Sequence, residues 1–196
     1  MKKTIFLILF LTISLNLIGQ ELPNLNLREQ ATNENELPEN IETNEIGVII
    51  KLTGGWSAYD YTSFFIYKND GNIIAYSKKS PKSYLRKKKE LKEEQSEIKL
   101  SEERKKELLE SLNSDTTIDF LKYSQKDFKK SELNGPPPCP ITDATGFQFT
   151  FIQNGKQNSY KYYAPEHRLN RCSDKNINKV VLEKFVELIK VWKLRK

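Results

Sequence analysis

The sequence predicts an α+β domain: an antiparallel β-sheet built of hairpins, with two or three helices packed on one face. Three observations carry this. Two strand-like segments with alternating aromatic residues flank Asn154-Gly155. A second apolar pair flanks Asn69-Asp70-Gly71-Asn72. A helical stripe of large apolar residues follows near the C-terminus. Runs of strands followed by helices, without strict strand–helix alternation, place helices on an antiparallel sheet.

The chain of 196 residues opens with "MKKTIFLILFLTISLNLIGQ". Lys2 and Lys3 precede an uncharged apolar run from Ile5 to Ile18, too short and too polar for a membrane span of about 20 residues. Residues 1–19 therefore read as a secretory signal peptide cut after Gly19, which makes the protein periplasmic or extracellular. No cysteine stands near the cut, so no lipid anchor is expected, and no transmembrane segment is expected in the mature chain.

Residues 20–45 carry seven glutamates against the single Arg28, with two prolines and no aromatic residue. A segment so poor in apolar surface cannot offset its ordering entropy and reads as a flexible acidic leader. The whole chain has a formal charge of +6. Removing Lys2 and Lys3 with the signal leaves +4, and setting the leader's −6 aside leaves +10 on residues 46–196. That stretch has the size of one α+β domain.

Within it, "IGVIIKL" (Ile46 to Leu52) reads as a strand closed by Thr53-Gly54-Gly55. "AYDYTSFFIYK" and "IIAYS" form a hairpin that is apolar on both faces, which suits the middle of a sheet. A helix starting at Ser80-Pro81 and running to about Gln95 fits proline at a first helical position. Ser101 caps a second helix, "EERKKELLESL", with Leu108, Leu109 and Leu112 on its apolar face. Asn-Gly at 154–155 accepts the positive φ angles of a two-residue turn. Folding there sets Phe147 opposite Tyr162, Phe149 opposite Tyr160 and Phe151 opposite Asn158, one face buried and the other wet. A last helix after Ser173 or Asp174 has Ile177, Val181, Phe185, Leu188 and Trp192 on one stripe, with Val180 and Ile189 beside it. Hairpin followed by helix occurs twice, as a divergent internal repeat would give.

The chain has one histidine and two cysteines. Cys139 and Cys172 lie beyond the open end of the late hairpin by nearly equal lengths of chain, so its two legs can bring the sulfurs together. In an exported protein an even cysteine count reads as a disulfide, here Cys139 to Cys172. The competing reading is a thiol hydrolase in which His167 activates Cys172 or Cys139, with Glu166 or Asp174 orienting the ring. No known thiol-hydrolase signature surrounds either cysteine. Asp143, Glu166 and Asp174 flank the same hairpin end and offer carboxylates for glycoside hydrolysis. There is no Gly-x-Ser-x-Gly, GxxxxGK, GxGxxG or HExxH motif. One His and two separated Cys make no ordinary zinc site, so no metal or cofactor is expected.

The strongest electrostatic feature is "KKSPKSYLRKKK": Lys78, Lys79, Lys82, Arg86, Lys87, Lys88 and Lys89, with Tyr84 among them and no acid. It offers a grip for an anionic polymer or envelope component. The competing reading is a solvated helix face neutralised at i,i+4 by Glu90 and Glu93, or by the acidic leader folding back over it. A second candidate surface is the pair of loops at the open end of the late hairpin, Pro136 to Asp143 and Tyr163 to Asp174. The expected function is thus non-catalytic binding outside the cytoplasm. The rivals are a small exported thiol hydrolase and an inhibitor or immunity-type protein that binds another protein.

Overall fold

The computed structural model describes residues 22–85, 90–130 and 139–194. Residues 1–19, together with Arg86, Lys87, Lys88, Lys89 and Pro136 to Pro138, lie outside the described residues. The strands are β1 (Glu29–Gln30), β2 (Ile46–Gly54), β3 (Tyr59–Tyr67), β4 (Ile73–Pro81), β5 (Glu94–Ile98), β6 (Thr145–Gln153) and β7 (Lys156–Tyr163). They form a seven-stranded antiparallel sheet in the order β1-β7-β6-β2-β3-β4-β5. The α-helices are α1 (Glu102–Leu112), α2 (Asp115–Leu121), α3 (Pro165–Arg171) and α4 (Lys179–Trp192), with short 3₁₀ turns at Glu34–Glu36 and Gln125–Phe128. This is the expected α+β fold.

The β6–β7 register is the expected one, with Phe147 opposite Tyr162, Phe149 opposite Tyr160 and Phe151 opposite Asn158. Asn154 and Gly155 both have positive φ, 51° and 68°. Ser101 caps α1 by accepting from the Arg104 N–H. Phe149, Phe151, Val48, Ile50, Phe65 and Tyr67 point to one face of the sheet and meet Leu108, Leu112, Phe120, Phe185, Leu188 and Trp192 of the helices, all buried. Phe149 sits edge-on to Phe185 at 5.6 Å, and Phe151 edge-on to Trp192 at 5.9 Å, the geometry that matches a ring's positive edge to its neighbour's face. Val180 stands off this stripe and is exposed, while Leu182 and Val186 take buried places on it.

Three expectations change. First, residues 22–45 are not a free leader. Leu25 joins the helical-side core, β1 pairs with β7 at the sheet edge, and Leu37 crosses to the other face over Ile49, Phe64 and Ile152. Few apolar residues suffice because buried amides of the late hairpin hold the main chain. Gln153 accepts from the Leu25 N–H at 2.9 Å and donates to the carbonyls of Pro23 and Asn44. Gln157 accepts from the N–H groups of Thr32 and Asn33, and Asn158 accepts from that of Arg28. The Arg28 guanidinium donates to the carbonyls of Leu121, Lys122 and Tyr123, closing the C-terminal end of α2. The acids do fold back, but onto other lysines than expected: Glu36 pairs with Lys51 at 2.5 Å, and the buried Glu45 pairs with Lys68 at 3.1 Å.

Second, the segment from Ser80 to Gln95 is not one helix: among its described residues only Ser83 to Leu85 are helical. Lys78, Lys79 and Ser80 lie in β4, and Glu94 and Gln95 begin β5, which pairs with it. Third, the late hairpin's second face is only partly wet. Thr150 and Ile152 are buried there, Ile152 beneath the 22–45 segment. After its helical residues Ser83 to Leu85 the early hairpin is followed by β5, whereas α3 after the late hairpin is followed by α4.

Candidate binding surface at the end of the late hairpin

The bridge is present. Cys139 and Cys172 are joined with their Cα atoms 5.7 Å apart, so neither sulfur is a thiol and the Cys–His pair has no nucleophile. His167 is half-buried on α3, a helix where a loop was expected; Pro165 takes its first turn and Ala164, at φ 51°, turns the chain out of β7. The side chain that approaches Cys172 Sγ is Arg168, at 4.0 Å. The three carboxylates considered for glycoside hydrolysis are not gathered. Asp143 lines one cleft, Asp174 another, and Glu166 is exposed on α3. Among the described residues no group of three or more His, Cys, Asp or Glu could hold a metal ion, and no helix is long and apolar enough to cross a membrane.

The described part of the basic run, Lys78 to Leu85, is dispersed, while Arg86 to Lys89 lie outside the described residues. Lys78 pairs with Glu93 at 2.9 Å and Lys79 with Glu94 at 3.4 Å, across the β4–β5 ladder and not along a helix. Lys79 Nζ also lies 4.3 Å from the Tyr59 ring centre. The Lys82 side chain is buried and donates to the carbonyls of Gly54 at 3.0 Å and Gly55 at 2.9 Å. These carbonyls are open because both glycines, at φ 82° and 64°, turn the chain out of β2. Of the described members of the run, Tyr84 is 66% exposed, beside the exposed Ser83.

Lys82 and Tyr84 nevertheless join the second candidate surface. They line a cleft of about 430 Å³ with Asp60, Asp143, Ala144 and Tyr163, where β2, β3 and β4 meet the ends of the late hairpin. Two expected binding regions thus converge on one end of the sheet. One carboxylate oxygen of Asp60 is buried without a hydrogen-bond partner. Tyr163 accepts from the Ala144 N–H at 2.9 Å, which fixes its ring at the cleft wall. Trp56, just past Gly55, is 90% exposed.

Tyr163 also lines a second groove, about 280 Å³, that continues along the β7 edge beyond the reach of β1. Phe128, Tyr162 and Ile177 give it an apolar floor, and Lys129, Lys161 and Arg168 stand around it. Gln125 satisfies the open strand edge, donating to the Lys161 carbonyl and accepting its N–H. This leaves the Lys161 side chain outside, exposed. Lys129, Lys161 and Arg168 make no ion pair among the described residues. The groove's one carboxylate, Asp174, accepts from the Asn176 N–H. Burial raises the Tyr162 hydroxyl above the usual phenol range, with Arg168 acting against it and Asp174 with it. Arg168 falls within the expected surface from Tyr163 to Asp174, but sequence reasoning missed Lys129 and Lys161, which come from separate segments that only the folded hairpin brings beside it.

No protein-family model matches this chain, and no curated protein does.

Proposed function

We propose that this protein is an exported, non-catalytic binding domain for an acidic polymer of the cell envelope or its surroundings. Its anion-binding surface is the groove framed by Lys129, Lys161 and Arg168, rather than Lys78, Lys79 and Lys82, which already have partners. One observation carries this reading: three cations with no ion pair among the described residues stand around an aromatic-floored groove, whereas Lys78 and Lys79 are already paired with Glu93 and Glu94. Export is supported by the apolar N-terminal run and by the bridge, which suits an oxidising compartment. Absence of a thiol removes the support for the hydrolase reading.

The test is affinity for polygalacturonate at low and at physiological salt. Binding should weaken with salt. The double variant Lys161→Gln/Arg168→Gln should lose about tenfold or more, which corresponds to about 1.4 kcal/mol. Lys78→Gln/Lys79→Gln should bind as wild type does. Salt-insensitive binding, or loss that follows Lys78 and Lys79, rejects the groove. Exported protein should begin at Gln20 by mass spectrometry; an intact Met1 rejects the cleaved signal.

The inhibitor reading keeps one specific support, the exposed Trp56, since tryptophan anchors many protein interfaces. If Trp56→Ala abolishes association with a protein partner and leaves polymer binding intact, that reading gains and the polymer reading loses its claim on Trp56.

A further inference from the structure

The cleft and the groove on either side of Tyr163 have opposite electrostatic preferences. In the cleft, Asp60 and Asp143 offer acceptors while Lys82 offers an ammonium already held by two carbonyls. An anion placed there meets two carboxylates, and a cation meets Lys82. A neutral group that both donates and accepts satisfies both kinds of neighbour, and the hydroxyl is that group. Asp60 lines the cleft, and one of its carboxylate oxygens is buried without a hydrogen-bond partner. Tyr84, at the cleft, and Trp56, beside it, present exposed flat rings that a sugar's C–H face can cover. Across Tyr163, three cations face one carboxylate.

From this we infer that the polymer is a polysaccharide in which neutral and acidic sugars alternate, with a neutral ring in the cleft and a neighbouring carboxylate in the groove. This rests on the binding reading above and names its ligand class. A uniform polyanion, whether nucleic acid, polyphosphate or polygalacturonate, sets successive charges against Asp60 and Asp143 and is the poorer ligand.

The experiment is calorimetric titration of the mature protein with a hyaluronate oligosaccharide (alternating acidic and neutral sugars), a polygalacturonate oligosaccharide (acidic throughout) and a chitin oligosaccharide (neutral throughout). The hyaluronate should bind about tenfold or more tighter than either of the others. Asp60→Asn and, separately, Tyr84→Ala should erase that margin without weakening polygalacturonate. Tyr84 is exposed, so its removal leaves the fold intact if Asp60→Asn does not. Polygalacturonate binding as tightly as hyaluronate, or a margin that survives both variants, overturns the alternation and leaves the anion groove standing. Chitin oligosaccharide binding tightest overturns the groove's part. Binding of neither acidic saccharide overturns this inference and the proposed function together.

Discussion

Leu37 lies against the backbone of Gly47: a Cβ built at Gly47 would stand 2.9 Å from Leu37 Cδ1. This contact seals the second face of the sheet, where Leu37 covers Ile49, Phe64 and Ile152. Leu37→Ala should cost about 2–5 kcal/mol, the range for a buried leucine. Gly47→Ala should cost about 1–3 kcal/mol through overpacking. Denaturant titration measures both. Because each change acts on the same contact, the double variant should be less destabilised than the two added together. Full additivity, or two neutral variants, would mean that residues 22–45 do not hold to the sheet.

The Cys139–Cys172 bridge closes a loop with a sequence separation of 33 residues, for which chain entropy gives up to about 4 kcal/mol. Cys139→Ser, Cys172→Ser and the double variant should fall by the same amount in thermal melts, because one bond is lost in all three. His167→Ala should leave the melting temperature nearly unchanged. Two alkylatable thiols in freshly exported protein would contradict the bridge.

Stability should depend on pH at both ends. Burial raises the Tyr67 hydroxyl far above the ordinary phenol range, with the hydrogen bond from Trp192 Nε1 at 2.8 Å and the charge of Arg104 acting against it. A folded-state value above the unfolded one gives a contribution fully present below about pH 10 and lost as pH rises above it. Tyr160 and Tyr162, also raised by burial, act in the same direction. Tyr67→Phe should flatten the alkaline slope of stability, while leaving the Trp192 N–H unpaired at a cost of about 1–3 kcal/mol at neutral pH. At the acid end, the Ser124 N–H and hydroxyl hold the Asp127 carboxyl below its usual range. Its contribution is present above the unfolded carboxyl value and lost as pH falls below it, so Asp127→Asn should be less acid-sensitive than wild type.

The legible parts of this fold are those whose residues carry local instructions. Asn154-Gly155 sets the turn, and the turn sets every pair of the late hairpin. Ser101 starts α1, and equal legs from one hairpin bring Cys139 to Cys172. The 22–45 segment was illegible because composition measures what a chain can bury by itself. Here an existing sheet supplies β7 for β1, and Gln153, Gln157 and Asn158 for its main chain. A clue did exist in Ile49, Phe64 and Ile152, which make the second face apolar and require a cover. Lys78 to Glu97 imitates a helix because cations followed by glutamates at i,i+4 look the same as cations and glutamates on adjacent strands. The functional groove is least legible of all. Lys129, Lys161 and Arg168 are unremarkable where they stand in the sequence and gain meaning only around Tyr162.

The anion-binding groove beside Tyr163 can be mapped by following backbone amide shifts of the ¹⁵N-labelled mature protein during titration with hyaluronate oligosaccharide. Saturable shifts should centre on Lys129, Lys161, Tyr163 and Arg168 and extend to Asp60 and Tyr84. Shifts centred on Lys78 and Lys79 in β4, or none at saturating ligand, would contradict it.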